Sequence, residues 1–242
     1  MRTARSSNDP ITGDAQIRSQ GPTALRIVLG NQLRQLREAS GITTGAAGHA
    51  IRASHAKISR MELGRVSFKE RDVADLLTLY GVTDEHDRGA FLALARRANV
   101  PGWWHHYGDI LPSWFEMYLG LEQASSVIRT YQPHFVPELL QTREVACAVI
   151  QLEHPDASAD DIERRLALRM TRQEILNQAG APSLWVLIDE SALWPLDQPS
   201  TRRAQTKRLV EIGTIPNGRT QAIPTWFGAQ VARGGPRAIR RF

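Results

Sequence analysis

LRQLREASGITTGAAGHAIRASHAKISRMELGR, residues Leu33 to Arg65, decides the architecture of the first part of this chain. Leu25, Leu29, Leu33 and Leu36 recur at the spacing of one helix face; Thr23 stands where a cap would, and Gly41 suits a left-handed helix end. A second, short helix is expected from Thr43 or Thr44 through Ala46, Ala47 and Gly48, whose small side chains admit a close, steep crossing, with Ile51 plugging the core. The chain then turns through Arg52 and Ala53. Ser54 can cap a third helix that runs to Glu62 and is stopped by Gly64.

Winding the third helix at about 100° per residue puts Ile58 and Met61 on one side and His55, Ala56, Ser59 and Arg60 on the other. Ile58 and Met61 are expected to face the core. The opposite arc carries a guanidinium fork, an imidazole, a hydroxyl and a methyl group, which is the chemistry that reads base edges in a major groove. Lys57 flanks this arc and suits a phosphate, and Arg65, Lys69 and Arg71 follow; such cations set register and salt dependence rather than sequence choice. Exposed arginine on a short helix is more often a plain solvated face, and His55 could equally cap locally. Glu62 is expected to hold the helix end or pair with a neighbour.

With Leu33, Leu36, Arg37, Gly41 and Thr43 in the first half and Ile58, Ser59, Arg60, Glu62 and Gly64 in the second, the segment resembles the helix-turn-helix of the lambda-repressor/Cro (XRE) class, notably its large actinomycete set. The resemblance implies that His55, Ala56 and Arg60 reach base edges while Thr44 and Arg65 touch phosphate. Two positions depart from the pattern. Thr44 stands where the class commonly has Gln, and Arg52 where the tight turn usually has Gly, although a side chain disfavours positive φ.

At 242 residues with 42% hydrophobic and 23% charged residues, the chain has the composition of one large or two modest globular domains. The opening MRTARSSNDPITGDAQIRSQGP has no apolar core region and reads as a flexible arm, not a signal peptide. No apolar run is long enough to span a bilayer, and the lone Cys147 has no disulfide partner within the chain, so a cytoplasmic setting is expected. Charge is uneven. Residues 1–80 hold 12 basic and 7 acidic side chains, residues 81–200 hold 9 and 17, and residues 201–242 hold 9 and 1. A basic first section fits phosphate contact, whereas the acidic middle should turn away from DNA, toward a basic partner or ligand.

Helical periodicity continues over Phe68 to Tyr80 and Asp84 to Asn99, which makes five helices. NVPGWWHHYGDILP then breaks the pattern near residue 100. Beyond it, helices are expected at Trp114 to Leu121, Pro137 to Leu152, Ala159 to Gln178 and Thr201 to Ile212, and strands at Ser126 to Tyr131, Leu184 to Asp189 and Thr220 to Ile223. The order of Gly102, Trp103 and Trp104, then Leu111, Pro112, Trp114 and Phe115, then Ile128 to Tyr131 and Pro133, then Val136, Pro137 and Leu139 to Thr142, and finally LWVLIDESAL resembles the uncharacterised domain that follows the helix-turn-helix in many actinomycete regulators. That resemblance implies an antitoxin-like regulator working with a small neighbouring protein, of a kind that commonly controls development or secondary metabolism. The last residues depart from it, because arginines in PNGRTQAIPTWFGAQVARGGPRAIRRF replace expected apolar positions and the chain reads as short, with a poorly packed end.

Enzyme signatures are thin. GITTGAAG lacks the Gly-Lys-Ser/Thr ending of a phosphate loop, His105 and His106 are adjacent and diverge, and Asp189 and Glu190 at a strand end have neither nucleophile nor oxyanion partner in view. The best hint of binding in the second domain is the aromatic run that includes Trp103, Trp104, Trp114 and Tyr118, which could line a ligand pocket or partner groove or could pack a core between the domains.

The expectation is therefore a mainly α helix-turn-helix domain of five helices at residues 23–100, after an arm at 1–22, followed by an α+β domain with a small sheet at 101–242, reading as truncated at its C-terminus. Functionally it predicts a homodimeric transcriptional regulator that binds a double-stranded DNA operator sequence-specifically, with a second domain that answers to a small partner protein or ligand. It predicts no cofactor, metal, membrane or catalysis. The alternative is an antitoxin-like interaction module that neutralises a small partner, with DNA binding secondary.

Overall fold

The computed structural model describes residues 21–193 and 198–224 and the backbone of 237–241. The expected arm thus lies almost wholly outside the described residues, as do residues 225–236 and 242 of the arginine-bearing final section. The described residues form two compact units that part between Trp103 and Trp104.

The first unit consists of α1 (Pro22–Ala39), α2 (Thr44–Ala50), α3 (His55–Glu62), α4 (Glu70–Leu79) and α5 (Glu85–Ala98). Its start corrects one expectation. Gly21, extended, is the cap of α1 and Pro22 its first residue, while Thr23 lies inside the helix and is buried. Proline fixes the helical φ and has no N–H to orphan, so it begins the helix ahead of the threonine. Thr43, Ser54 and Asp84 cap α2, α3 and α5 by accepting the N–H of Ala46, Lys57 and Asp87.

Leu25, Leu29 and Leu33 of α1 meet Ile51, Ile58, Met61, Phe68, Val73, Leu76 and Leu77 in one core. Each such side chain, fully buried, contributes about 1.5–3 kcal/mol. The end of α3 lies directly on α1: a Cβ on Gly30 would fall 2.5 Å from the carbonyl oxygen of Met61, and Gly64, at φ +67, turns the chain away. Only a residue without a Cβ permits that approach.

Between α2 and α3, Arg52 takes φ 55, the single non-glycine positive φ among the described residues. The turn is closed around it by Arg52 N–H to the His49 carbonyl (3.1 Å) and Ala53 N–H to the Gly48 carbonyl (2.8 Å), so the position holds the left-handed geometry that glycine takes without strain.

The second unit contains α6 (Ser113–Gln123), β1 (Val127–Gln132), α7 (Arg143–Glu153), α8 (Ala159–Gln173), β2 (Ser183–Asp189), α9 (Pro199–Thr214), β3 (Gly218–Ile223) and β4 (Arg237–Arg241). The helix expected over Pro137 to Leu152 is divided: Glu138–Leu140 is a 3-10 turn, Gln141 is extended, and Thr142 caps α7. The side chain of the buried Gln141 donates to the Val136 carbonyl and accepts from Arg169, which fixes the break. The next helix likewise stops at Gln173 and leaves a 3-10 turn at Glu174–Leu176.

Strand order is β3-β2-β1-β4. β1 and β2 pair in parallel from Val127 with Ser183 to Gln132 with Ile188, β2 and β3 pair in parallel from Leu184 with Gly218, and β4 runs antiparallel to β1 with Arg241 opposite Val127. The mixed α+β architecture with a small sheet is as expected, with a fourth strand that the arginine-rich sequence did not suggest. Ile128, Leu184, Val186 and Ile188 point to one face and join Leu140, Ile175, Leu176 and Ile212 in the core. On the other face Trp185 is 41% exposed, its Nε1 donating to Gln221 at 2.7 Å and its ring under the Arg129 guanidinium.

Two measurements check this description. A side chain in the left-handed region costs about 1–2 kcal/mol, partly offset by glycine's larger unfolded-state entropy. Arg52→Gly should therefore raise stability to urea by about 0.5–1 kcal/mol, and a destabilised variant would contradict the turn geometry. Burial, with Glu62 nearby, pushes the Tyr80 phenol up to about 12. Its unfolded value is about 10, so the stability that Tyr80 contributes is complete below that pH and is lost as pH rises through about 12. The stability difference between the wild type and Tyr80→Phe should drift over this alkaline window and stay flat at neutral pH.

Candidate nucleic-acid interface

Capped by Ser54, α3 presents His55, Ala56, Ser59 and Arg60 to solvent while Ile58 and Met61 are each 1% exposed. The structure thus brings the four side chains of the expected base-reading arc together on one exposed helix face. Arg60 is exposed, and its Nε makes a long contact, 3.4 Å, to the Ala56 carbonyl. Arg65 and Lys69 are exposed beyond the helix, and Thr44 is half-buried at the start of α2. Arg52, which sequence reasoning treated only as a departure, is exposed three residues before His55 and adds a cation to this edge.

Two ion pairs set the position of α3. Arg37 of α1 donates Nε to Glu62 Oε1 at 2.5 Å and Nη2 to Glu62 Oε2 at 3.0 Å, and its Nη1 to the Ile42 carbonyl at 2.9 Å. Both side chains are buried. The hydrogen bonds to Glu62 hold the Arg37 guanidinium above its ordinary value despite burial. Glu62 therefore ends α3 against a neighbour, as expected. Lys57 is less free than its sequence position suggests: its Nζ lies 2.5 Å from Oδ2 of the buried Asp72 of α4. Reaching a phosphate with Lys57 means sharing the ammonium with that carboxylate.

In the second unit, two cavities of about 300 and 330 Å³ adjoin at Trp114, Phe115, Glu138, Glu153 and Arg172. Trp114 lines both and Tyr118 the first. Trp103 and Trp104 line neither, and Trp104 is buried, so the four aromatic residues singled out by sequence do not form one site.

The centre of this region is Arg172, which sequence reasoning missed. Its guanidinium pairs with the buried Glu122 through Nε and, at 2.9 Å, through Nη2, donates to Glu138 through Nη1, and stacks over Tyr118 (5.1 Å) and Phe115 (5.6 Å). Burial opposes its charge, but Glu122 and Glu138 outweigh that and raise the group above its ordinary value. The signal available was the recurrence of Arg165, Arg169 and Arg172 on one face of α8. Among the described residues, no group of three His, Cys, Asp or Glu side chains could hold a metal ion, and no helix is long and apolar enough to cross a membrane.

Residues 115–242 match a domain of unknown function, DUF5753. The chain belongs to the DUF5753 family. In this DUF5753 protein, residues 28–91 also match a helix-turn-helix domain, a span that takes in α2, α3 and α4 whole. That domain makes DNA binding, and a regulator rather than an enzyme, the indicated class. Comparison of the chain with curated proteins and with solved structures returned no match.

Removing one partner from a buried ion pair costs about 3–5 kcal/mol, because the other charge is left without compensation. Glu62→Gln should lose a large part of that in urea unfolding, whereas Arg37→Met combined with Glu62→Met should recover much of the loss. A single variant as stable as the wild type would show that the pair does not position α3.

Proposed function

We propose that this protein is an XRE-type transcriptional regulator working in the cytoplasm, in which residues 23–100 bind a double-stranded operator sequence-specifically and residues 101–242 sense a ligand or small partner protein. The observation that carries the reading is the exposed arc of α3, set on a buried apolar base beside uncommitted cations.

Arg60 is assigned the bidentate reading of a guanine, His55 and Ser59 hydrogen bonds to neighbouring base edges, and Ala56 contact with a thymine methyl. Arg65, Lys69 and Thr44 take phosphates. Lys57 joins them by spanning Asp72 and the DNA backbone, since an ammonium has three donors. An eight-residue recognition helix covers one half-site, so the operator is read by a homodimer with half-sites about 34 Å apart. The sensing role of the second unit is supported by its two adjoining cavities and by the charged cluster that they share.

Footprinting on the DNA upstream of the protein's own coding sequence tests this. Arg60→Ala should cost about 1–3 kcal/mol of binding and relax preference at one base pair. Lys57→Ala should weaken cognate and scrambled duplexes alike and also reduce the stability of the fold. Equal loss on both duplexes for Arg60→Ala would reject its role as a base reader.

A further inference from the structure

The cavity beside Arg172 has a chemical character that narrows what it can hold. Four rings line it: Phe115 and Tyr118 are stacked at 5.3 Å, Trp114 stands at 82° to Phe115 at 5.3 Å, and Phe135 flanks them. Trp114 is 67% exposed and Phe135 44%, so large apolar faces meet solvent at the mouth of a concave site rather than on a convex surface. Two ring planes at right angles make two walls of an aromatic cage, the arrangement that recognises alkylated ammonium groups through the negative faces of the rings. Arg172, lying over Phe115 and Tyr118, shows that these rings already take a cation on one side.

Charge points the same way. The lining holds Glu122, Glu138 and Glu153 against Arg172 alone. Arg169, which reaches Glu138 at 3.4 Å and Glu153 at 3.1 Å, and Arg165 line the adjoining cavity and not this one, so the excess of carboxylates is confined to the first cavity. Glu153 is half-exposed, and its Oε1 has no partner among the described residues. An anionic ligand would meet that excess at short range in a partly desolvated site, where like-charge repulsion is strong. The volume, about 300 Å³, is at the small end for ligand sites.

We propose that this cavity binds an organic cation, an alkylated ammonium on a small apolar body, with Trp114 and Phe115 walling the charged head and Glu153 supplying the counter-charge. The proposal rests on the sensing role assigned above to the second unit and names the ligand class for it.

Calorimetric titration of the full chain, without DNA, tests this with three probes on one aromatic body: benzyltrimethylammonium, benzyl alcohol and benzoate. The ammonium should bind at least about tenfold more tightly than the alcohol, and benzoate not measurably. Trp114→Ala and Glu153→Gln, both exposed enough to leave the fold intact, should each lower ammonium affinity by about five- to tenfold. Trp185→Ala, on the opposite face of the sheet, should leave it unchanged. Equal binding of ammonium and alcohol, no ammonium binding, or indifference to Trp114→Ala would overturn the assignment. Repeating the titration beside a DNA-binding assay separates the two readings. Ammonium bound with DNA affinity unmoved keeps the ligand class and removes the sensing role; DNA affinity that answers to another molecule while ammonium fails to bind removes the class alone.

Discussion

The buried pair of Arg37 and Glu62 is the interaction on which the first unit depends. One guanidinium clamps the end of α3 with two donors and the loop before α2 with a third, so three segments are referred to a single planar group. A lysine could not do this, because a point charge lacks the fixed fork that meets both carboxylate oxygens. The pair fixes the axial position and roll of α3. Apolar packing by Ile58 and Met61 then holds a register that packing alone, being non-directional, would specify less sharply. The exposed arc of His55, Ala56, Ser59 and Arg60 takes its direction from this clamp at the helix end and from Lys57 and Asp72 nearer its start.

Much of this unit was legible because its signals are local. Caps at Thr43 and Ser54, the stop at Gly64 and the leucine spacing of α1 each operate within one or two turns of chain. Where the reading slipped, a second local rule competed: Pro22 displaced Thr23 as the helix start, and Gln141 with Thr142 broke what periodicity alone joined into one helix. Arg52 exposes the limit of intrinsic preference. Its left-handed conformation is imposed by the backbone bonds around it and not by its own side chain.

The second unit was less legible for the opposite reason. Arg172 and Glu122 stand 50 residues apart, and nothing in the local pattern of either declares the other. β4 was hidden too, since RAIRR has little apolar alternation; it joins the sheet through backbone groups that any side chain permits. Trp103 and Trp104 were grouped with Trp114 by nearness in sequence, yet only Trp114 reaches the cavities. Aromatic density in a sequence reports contact area to be buried and not the site where it gathers.

The pairing of β1 with β4 has a kinetic meaning. β1 must hold one open edge until residues more than a hundred positions later arrive, whereas the contact that closes α1 on α5 in the helical unit, Arg26 Nε to the Ala98 carbonyl, spans 72 residues. Distant pairing slows folding, and N-terminal units complete first during synthesis. On the ribosome, then, the helix-turn-helix is finished while the sheet behind it still waits for its last strand, and that unpaired edge is where nascent chains of this protein are most exposed to association with one another.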